Sequence, residues 1–527
     1  MAWTDHLIVM PVLLPLLASA LMLLFDESRR AVKRAIAITT TLALVAISLT
    51  LLQEAITSGS HRTYLLGDWP APFGITLVLD RLSAMMLVLA SILGFTSLLY
   101  ASARWDRAGP RFHALFLLQL MGLNGAFLTG DLFNLFVFFE VLLAASYGLL
   151  LHGAGRDRVS AGLHYVSINI AASLLFLVGA SLTYSVTGTL NIADLATRIP
   201  AVPNNDLMLL EGGIGILGIA FFIKAGMWPL GFWLPRTYSA ATPPVAALFA
   251  ILSKVGVYAV LRVLLLVPND GSESPLHLAD EWLQFGGMAT IAFGTIGVLS
   301  SRTMSRLAGF CLVISSGTLL ATIGAGGPTL SGALYYLVSS TLAVSAFYLL
   351  TELVGRGEAE EDAAAGADPV FEDEYTGPAE NGGAEVGVVI PATLAILGGG
   401  FMFCALLLAG LPPLSGFIAK FAIMRGLLDG EPDPAAWTLI ALIIVSGLAT
   451  IIATSRAGID LIWTPERPPR ALRLAEAAPI GILLALCLGL TVFAGPAMHY
   501  MEEAAGALDN RTAPLGPSLA RPERSAP

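Results

Sequence analysis

Stretches of about twenty apolar residues follow one another along almost the whole of this 527-residue chain, and each is long enough to cross roughly 30 Å of hydrocarbon. Fourteen such segments lie near 6–25, 35–56, 77–100, 112–130, 132–151, 160–186, 208–229, 240–266, 280–300, 305–325, 330–354, 386–426, 435–455 and 477–497. In lipid a segment has to satisfy its own backbone groups, so these read as helices. The sequence is 56% hydrophobic and only 13% charged, where a soluble protein carries about 25% charge. The expected fold class is therefore an all-α polytopic membrane protein with about fourteen transmembrane helices.

Alternate loops gather most of the basic residues, among them Arg29, Arg30, Lys33 and Arg34, then Arg104, Arg107 and Arg111, Arg156 and Arg158, and Arg467, Arg470 and Arg473. The positive-inside rule puts that side in the cytoplasm and both termini outside. The expected location is a bacterial inner (cytoplasmic) membrane. The start, MAWTDHLIVMPVLL, lacks a basic leader and reads as a retained first span.

Residues 1–500 read as one transmembrane domain. Within it an acidic cytoplasmic loop is expected at 355–385, where the stretch from Glu352 to Glu385 holds eleven acids against one Arg. Residues 501–527 read as a disordered tail, and 190–205 as a short interfacial helix on the outer side. The net charge of −10 comes mostly from the acidic loop and points to no partner. Cys311, Cys404 and Cys487 sit in apolar runs without metal-ligand spacing, and no phosphate loop or dinucleotide motif is present. No cofactor, metal or nucleic acid is expected.

Of 28 Lys and Arg residues only four are Lys: Lys33, Lys224, Lys254 and Lys420. The last three lie inside predicted spans, where a charge costs at least about 2.5 kcal/mol on the mildest scale. Arg stays charged, whereas a buried Lys can give up its proton. That choice of residue suits a proton path. Glu140, flanked by Phe138, Phe139 and Val141 in the fifth span, needs a counter-charge to remain ionised, and Lys224 lies two spans on. Burial favours the neutral amine and a nearby carboxylate favours the ammonium, so moving Glu140 toward or away from Lys224 would switch the lysine between holding and releasing a proton. Lys254, in the next span, would receive it.

Pro229 breaks the seventh span just after Lys224, and Pro412 and Pro413 break the twelfth just before Lys420. Two broken helices, each with one lysine and five spans apart, indicate two inverted five-helix repeats, at about 112–266 and 280–455. His164 and His113 begin spans and are candidates for admitting a proton from the cytoplasm. Ser315, Ser316, Ser339, Ser340 and Thr341 are candidates for holding water between Lys254 and Lys420.

Three stretches carry a family resemblance: GDLFNLFVFFEVLLAASYGLLLHG around Glu140, FFIKAGMWPLGFWLPRTYSAATPPVAALFAILSKVGVYAVLR around Lys224 and Lys254, and LAGLPPLSGFIAKF around Lys420. Spans 3–13 resemble the antiporter-like subunits of respiratory complex I and of the Mrp-type multisubunit cation/proton antiporters, most of all the D-type subunits of the Mrp (Mnh, Pha) system. The resemblance implies a proton relay at Glu140, Lys224, Lys254 and Lys420, other Mrp subunits as partners in a hetero-oligomeric membrane complex, and Na⁺ or K⁺ efflux driven by inward protons. It departs in the eleventh span, where relatives often carry His, and some a Lys a few residues on. Here Ser339 and Val344 stand at those positions, which makes water the expected carrier in the middle of the path. Two other functions fit the same residues: an ion-pumping subunit of a redox-driven complex I-like or hydrogenase complex, and a membrane module of inorganic-carbon uptake.

Overall fold

The computed structural model describes residues 3–58, 61–69, 74–153, 155–263, 278–365, 392–429, 433–463 and 472–509. Over those residues the chain is almost wholly helical. The first part holds α1 (Met10–Leu23), α2 (Arg30–Ser58), α3 (Arg81–Ala101), α4 (Phe112–Leu128), α5 (Leu132–Leu150) and α6 (Arg156–Thr187). Then come α7 (Ile192–Arg198), α8 (Asn204–Ala225), α9 (Trp233–Ala240), α10 (Pro243–Phe249) and α11 (Leu252–Val263). The second part holds α12 (Leu278–Ser300), α13 (Met304–Ala325), α14 (Thr329–Ala365), α15 (Ala392–Ala409), α16 (Ser415–Leu427), α17 (Pro434–Trp463), α18 (Leu474–Val492) and α19 (Ala494–Asp509). Eleven of the described helical segments are long and apolar enough to cross a membrane, and α1, α4 and α15 are shorter apolar helices.

The helices have two distinct ends. At the basic end, Arg34 binds Asp106, Arg158 donates to the Ala240 carbonyl at 3.0 Å, and Arg456 donates to that of Ser301 at 2.8 Å. Burial opposes a charge on Asp106, but nearby His113 and the hydrogen-bonded Arg34 outweigh it and hold the carboxyl below its usual range. At the other end, β1 (Arg62–Leu65) and β2 (Thr76–Leu79) form an antiparallel hairpin, with Arg62 opposite Leu79. Backbone bonds lace this hairpin end: Gly130 donates to Thr76, Leu132 to Leu190 and Ile192 to Gly130. The hairpin is not foreseen from the sequence, because its strands are four residues each and lie between two apolar helices.

Nearly all of α13 and of the α10–α11 segment is buried, whereas most of α2 and α18 face outward. Small residues set the close contacts of the interior. A methyl group on Gly287 would meet the Ala321 backbone at 2.3 Å, and one on Gly317 would meet the Gly287 carbonyl at 2.8 Å, so α12 and α13 touch nearly backbone to backbone.

Three boundaries differ from expectation. First, α14 runs on to Ala365, into the stretch expected as an acidic linker, because GEAEEDAAA is rich in strong helix formers. Residues 366–391 lie outside the described residues. Second, helix continues past 501: α19 reaches Asp509, buries Met501 and Ala504, and docks on α3 through the Arg81–Glu503 pair and a 2.7 Å bond from Tyr500 to the Arg81 carbonyl. Residues 510–527 lie outside the described residues. Third, the eighth predicted span is also interrupted. It divides at Ala250 and Ile251 into α10 and α11, and Lys254 follows immediately. The short helix α7 falls within the expected 190–205.

Candidate functional site

Each lysine of the predicted relay stands beside a helix interruption. At the seventh predicted span, α8 ends at Gly226, which adopts the left-handed backbone (φ +77°) that glycine tolerates. Gly226 N–H donates to Ile223 and Met227 N–H to Phe222, which makes a Schellman cap with Lys224 in the final turn. At the twelfth, Gly410 (φ +77°) ends α15, with its N–H on Leu407 and that of Leu411 on Leu406. Both breaks read Gly-x-x-Pro, and the prolines Pro229, Pro412 and Pro413 are exposed on the outside of the chain.

The carbonyls freed by the two breaks go to different groups. At the first, Trp233 Nε1 donates to the Ile223 carbonyl at 3.3 Å, and the Trp228 amide donates to Thr290 Oγ1 on α12 at 2.9 Å. At the second, Lys420 Nζ donates to the carbonyls of Ala409 at 2.8 Å and Leu408 at 3.4 Å. Lys420 thus reaches back across the break to the carbonyl end of α15, while Lys224 belongs to the last turn of α8. Both ammonium groups stand where a helix dipole favours positive charge.

Glu140 and Lys224 are both half-buried, and they form no direct ion pair with each other. Glu140 accepts a hydrogen bond from Ser173 on α6, and Lys224 Nζ lies over the Phe139 ring, 5.4 Å from its centre. The expected counter-charge therefore acts at a distance, with Phe139 beside it. Ser173 escapes a reading of the sequence because a serine in an apolar helix more often bonds its own backbone.

Lys254 is fully buried. Its ammonium donates to Ser315 Oγ at 2.7 Å and reaches Ser316 Oγ at 3.5 Å, and Ser315 donates on to Ser340 at 2.9 Å. Ser339, one residue along α14, donates to Ser415 at the start of α16 at 2.8 Å. A cavity between these groups is lined by Ser315, Ser339, Ser340, Tyr336, Val344 and Leu408, among others. It leaves about 10 Å³ for the centre of a water molecule, at the lower limit for holding one water. Thr341, by contrast, bonds the Leu337 carbonyl of its own helix.

The histidines divide. His164 is exposed on α6 and bonds the Ser160 carbonyl. His113 is buried at the basic end with Nε2 3.4 Å from Asp106. His152, not singled out in the sequence, is buried nearby with Nε2 2.9 Å from the Trp105 carbonyl, and burial pushes its ring below the usual range. Lys33 is set apart from the other lysines by its 2.7 Å pair with Glu27.

Toward the hairpin end, Lys254, Tyr258 and Arg262 follow one another at four-residue intervals on α11. Tyr258 donates to the Phe127 carbonyl at 2.5 Å, and Arg262 donates to Tyr258 at 2.9 Å and pairs with Asp80. Burial opposes the Asp80 charge, but Arg262 outweighs it and keeps the carboxyl below its ordinary range. This stack closes that end of the helix with committed hydrogen bonds.

The site is thus a helical membrane bundle with helix breaks beside its lysines and a buried Lys254–Ser315–Ser340 hydrogen-bond chain. Residues 129–365 match the sequence model of the family described as NADH:quinone oxidoreductase/Mrp antiporter, transmembrane. A relative from Rhizobium meliloti (strain 1021), named as the D subunit of a probable K(+)/H(+) antiporter, is 52% identical over 97% of each chain. One from Desulforudis audaxviator (strain MP104C), named as the N subunit of NADH-quinone oxidoreductase, is 31% identical over 91% of this chain and 90% of its own. A chain of the Mrp complex from Dietzia sp. DQ12-45-1b superposes with a TM-score of 0.80 at 25% identity, covering 98% of this chain and all of that one. The chain belongs to the NADH:quinone oxidoreductase/Mrp antiporter family, among its Mrp D-type members.

Proposed function

We propose that this chain, as part of a multisubunit monovalent-cation/proton antiporter, carries protons along a buried relay of Glu140, Lys224, Lys254 and Lys420. The observation that carries this reading is the bonding of Lys254. Among the described residues its fully buried ammonium is held only by neutral hydroxyls, without a fixed counter-ion, so its proton is free to exchange. The Ser315–Ser340 and Ser339–Ser415 bonds and the water-sized cavity between them supply hydroxyls toward Lys420 where side chains alone leave a gap.

Fourteen spans in two inverted repeats suit the matched Gly-x-x-Pro breaks, one in each half. The basic end faces the cytoplasm of a bacterial inner membrane by the positive-inside rule, with both termini outside. Other antiporter subunits are the partners. Half-buried Glu140 and Lys224 are too costly to leave against lipid, which is a reason for a neighbouring subunit to cover them. The cation exchanged is Na⁺ or K⁺, and its ligands belong to another subunit or an interface.

The test uses everted vesicles from an antiporter-deficient bacterium expressing the whole operon. Addition of Na⁺ or K⁺ should collapse a respiration-driven pH gradient with the native chain and leave it intact with Lys224→Ala in an assembled complex. A fully active Lys224→Ala complex would overturn the relay. The likeness to an N-type chain of NADH-quinone oxidoreductase supports a second reading, a pumping subunit of a redox-driven complex. Under that reading no cation collapses the gradient, and the chain co-purifies with iron–sulfur subunits.

A further inference from the structure

Most buried tyrosine hydroxyls in this bundle find a protein acceptor. Tyr100 and Tyr258 donate to the carbonyls of Leu349 and Phe127, Tyr335 to that of Leu490, and Tyr165 shares a 2.7 Å bond with Ser146. Tyr238 and Tyr348 do not. Their hydroxyls, and that of Thr242, are buried and have no hydrogen-bond partner among the described residues. The three come from elements that meet at the basic end: Tyr238 from α9, Thr242 from the turn into α10, and Tyr348 from α14. Ser345 pins α14 to α10 by a 2.6 Å bond to the Ala247 carbonyl, one turn from Tyr348, and Tyr238 lies within electrostatic range of Tyr348.

Three buried hydroxyls with nothing to bond are costly, and phenylalanine and valine would fill the same space without that cost. Polar groups left over in a protein interior are the usual hosts of internal water. We infer that Tyr238, Thr242 and Tyr348 bind buried water, and that this water is the approach to Lys254 from the basic end. The inference rests on the relay reading above.

The intervening ground has the right composition. One turn from Tyr348 along α14 stands Val344, which lines the small cavity shared with Ser315 and Ser340. Those two serines bond each other, and Ser315 bonds Lys254. Val344 thus lies between Tyr348 and Ser340 along α14 and lines the cavity that the serines share. On the far side of Lys254, by contrast, the hydroxyl of Tyr258 is committed to Phe127 and Arg262. In the exchange itself an N–H bond of the Lys254 ammonium breaks as an O–H bond to water forms, and the positive charge passes to the water chain.

The test compares whole complexes in everted vesicles. Tyr238→Phe/Tyr348→Phe removes two hydroxyls and keeps both rings. With a hydrated site, the complex assembles normally and cation-driven gradient collapse slows by about tenfold or more, the effect of losing one good hydrogen bond at the barrier. With a dry site, the same variant transports at the native rate and its complex melts at a higher temperature, since unbonded hydroxyls have been removed. That result overturns the inference. Should the double variant fail to assemble, Thr242→Val against Thr242→Ser decides: transport lost in the first and kept in the second supports the water site, and equal native rates overturn it. Lys254→Ala is the control. An active Lys254→Ala complex overturns the relay reading itself, whereas an inactive one beside a fully active double-Phe variant overturns the water site alone.

Discussion

Gly256 and Gly447 each sit where one helix presses on the end of another beside a lysine. A methyl group on Gly256 of α11 would lie 2.4 Å from the Ala225 amide and 2.7 Å from the Lys224 carbonyl carbon. One on Gly447 of α17 would lie 2.7 Å from the Ala409 carbonyl oxygen and 3.6 Å from Lys420 Nζ. At both breaks a later helix is pressed against the end of the broken one beside the lysine, and only a residue without Cβ allows it.

Gly256→Ala and Gly447→Ala should each push the packed helix off its half-helix, at the roughly 1–3 kcal/mol that overpacking costs. Thermal unfolding of the purified complex should show the loss. Gly447→Ala should also slow transport, because the new methyl group meets the very carbonyl that holds Lys420. A Gly447→Ala complex with native stability and native rate would show that α17 yields freely there.

Ser173→Ala should impair transport without impairing assembly. The hydroxyl of Ser173 is the direct partner of Glu140, and a side-chain hydrogen bond contributes about 0.5–1.5 kcal/mol. Ser173→Thr keeps the hydroxyl and should keep most of the rate. Dye-monitored gradient collapse in vesicles, normalised to assembled complex, reads both. Equal rates for the alanine and threonine variants would show that Glu140 does not depend on this bond.

The membrane fold was legible because apolar runs of span length admit only helices, and the lysines stood out because charge is so rare in those runs. The breaks were legible from Pro229, Pro412 and Pro413. The second ends of the relay's hydrogen bonds were not. Whether Lys224 faces Glu140 or the ring of Phe139 depends on side-chain direction, which spacing along one helix does not fix. Ser173, Gly256 and Gly447 look like ordinary small residues of membrane helices until the opposing helix is in place. The interruption before Lys254 was also hidden, since Ala250 and Ile251 carry no breaking residue. His164, a candidate by residue type alone, lies on an exposed face of α6.

Ser315→Ala should slow transport by roughly tenfold or more, since it removes the 2.7 Å acceptor of the Lys254 ammonium. Ser340→Ala should cost less, because Ser340 touches Lys254 only through Ser315. If the two hydroxyls act in series, the double variant will be little worse than Ser315→Ala alone, and a double-mutant cycle on transport rate measures that coupling. Strictly additive effects would separate Ser340 from the chain.

His152 should make the stability of the complex depend on pH near neutrality. Burial holds its imidazole below the ordinary histidine range, with the Arg158 charge acting in the same direction and the bond to the Trp105 carbonyl and the Asp106 charge opposing it. The folded protein therefore takes up a proton at His152 less readily than the unfolded chain, whose histidine titrates near 6.5. Above about pH 6.5 both forms are neutral and this stabilising contribution is whole. As pH falls below that value the unfolded chain gains the proton first, so stability declines toward the lowered folded value. The melting temperature of the purified complex should drop between about pH 7.5 and 5.5, and His152→Gln should flatten the slope there. His113 faces the same pocket across Phe112, so His113→Gln is the companion variant. A slope unchanged by His152→Gln would show that His152 does not carry the pH dependence.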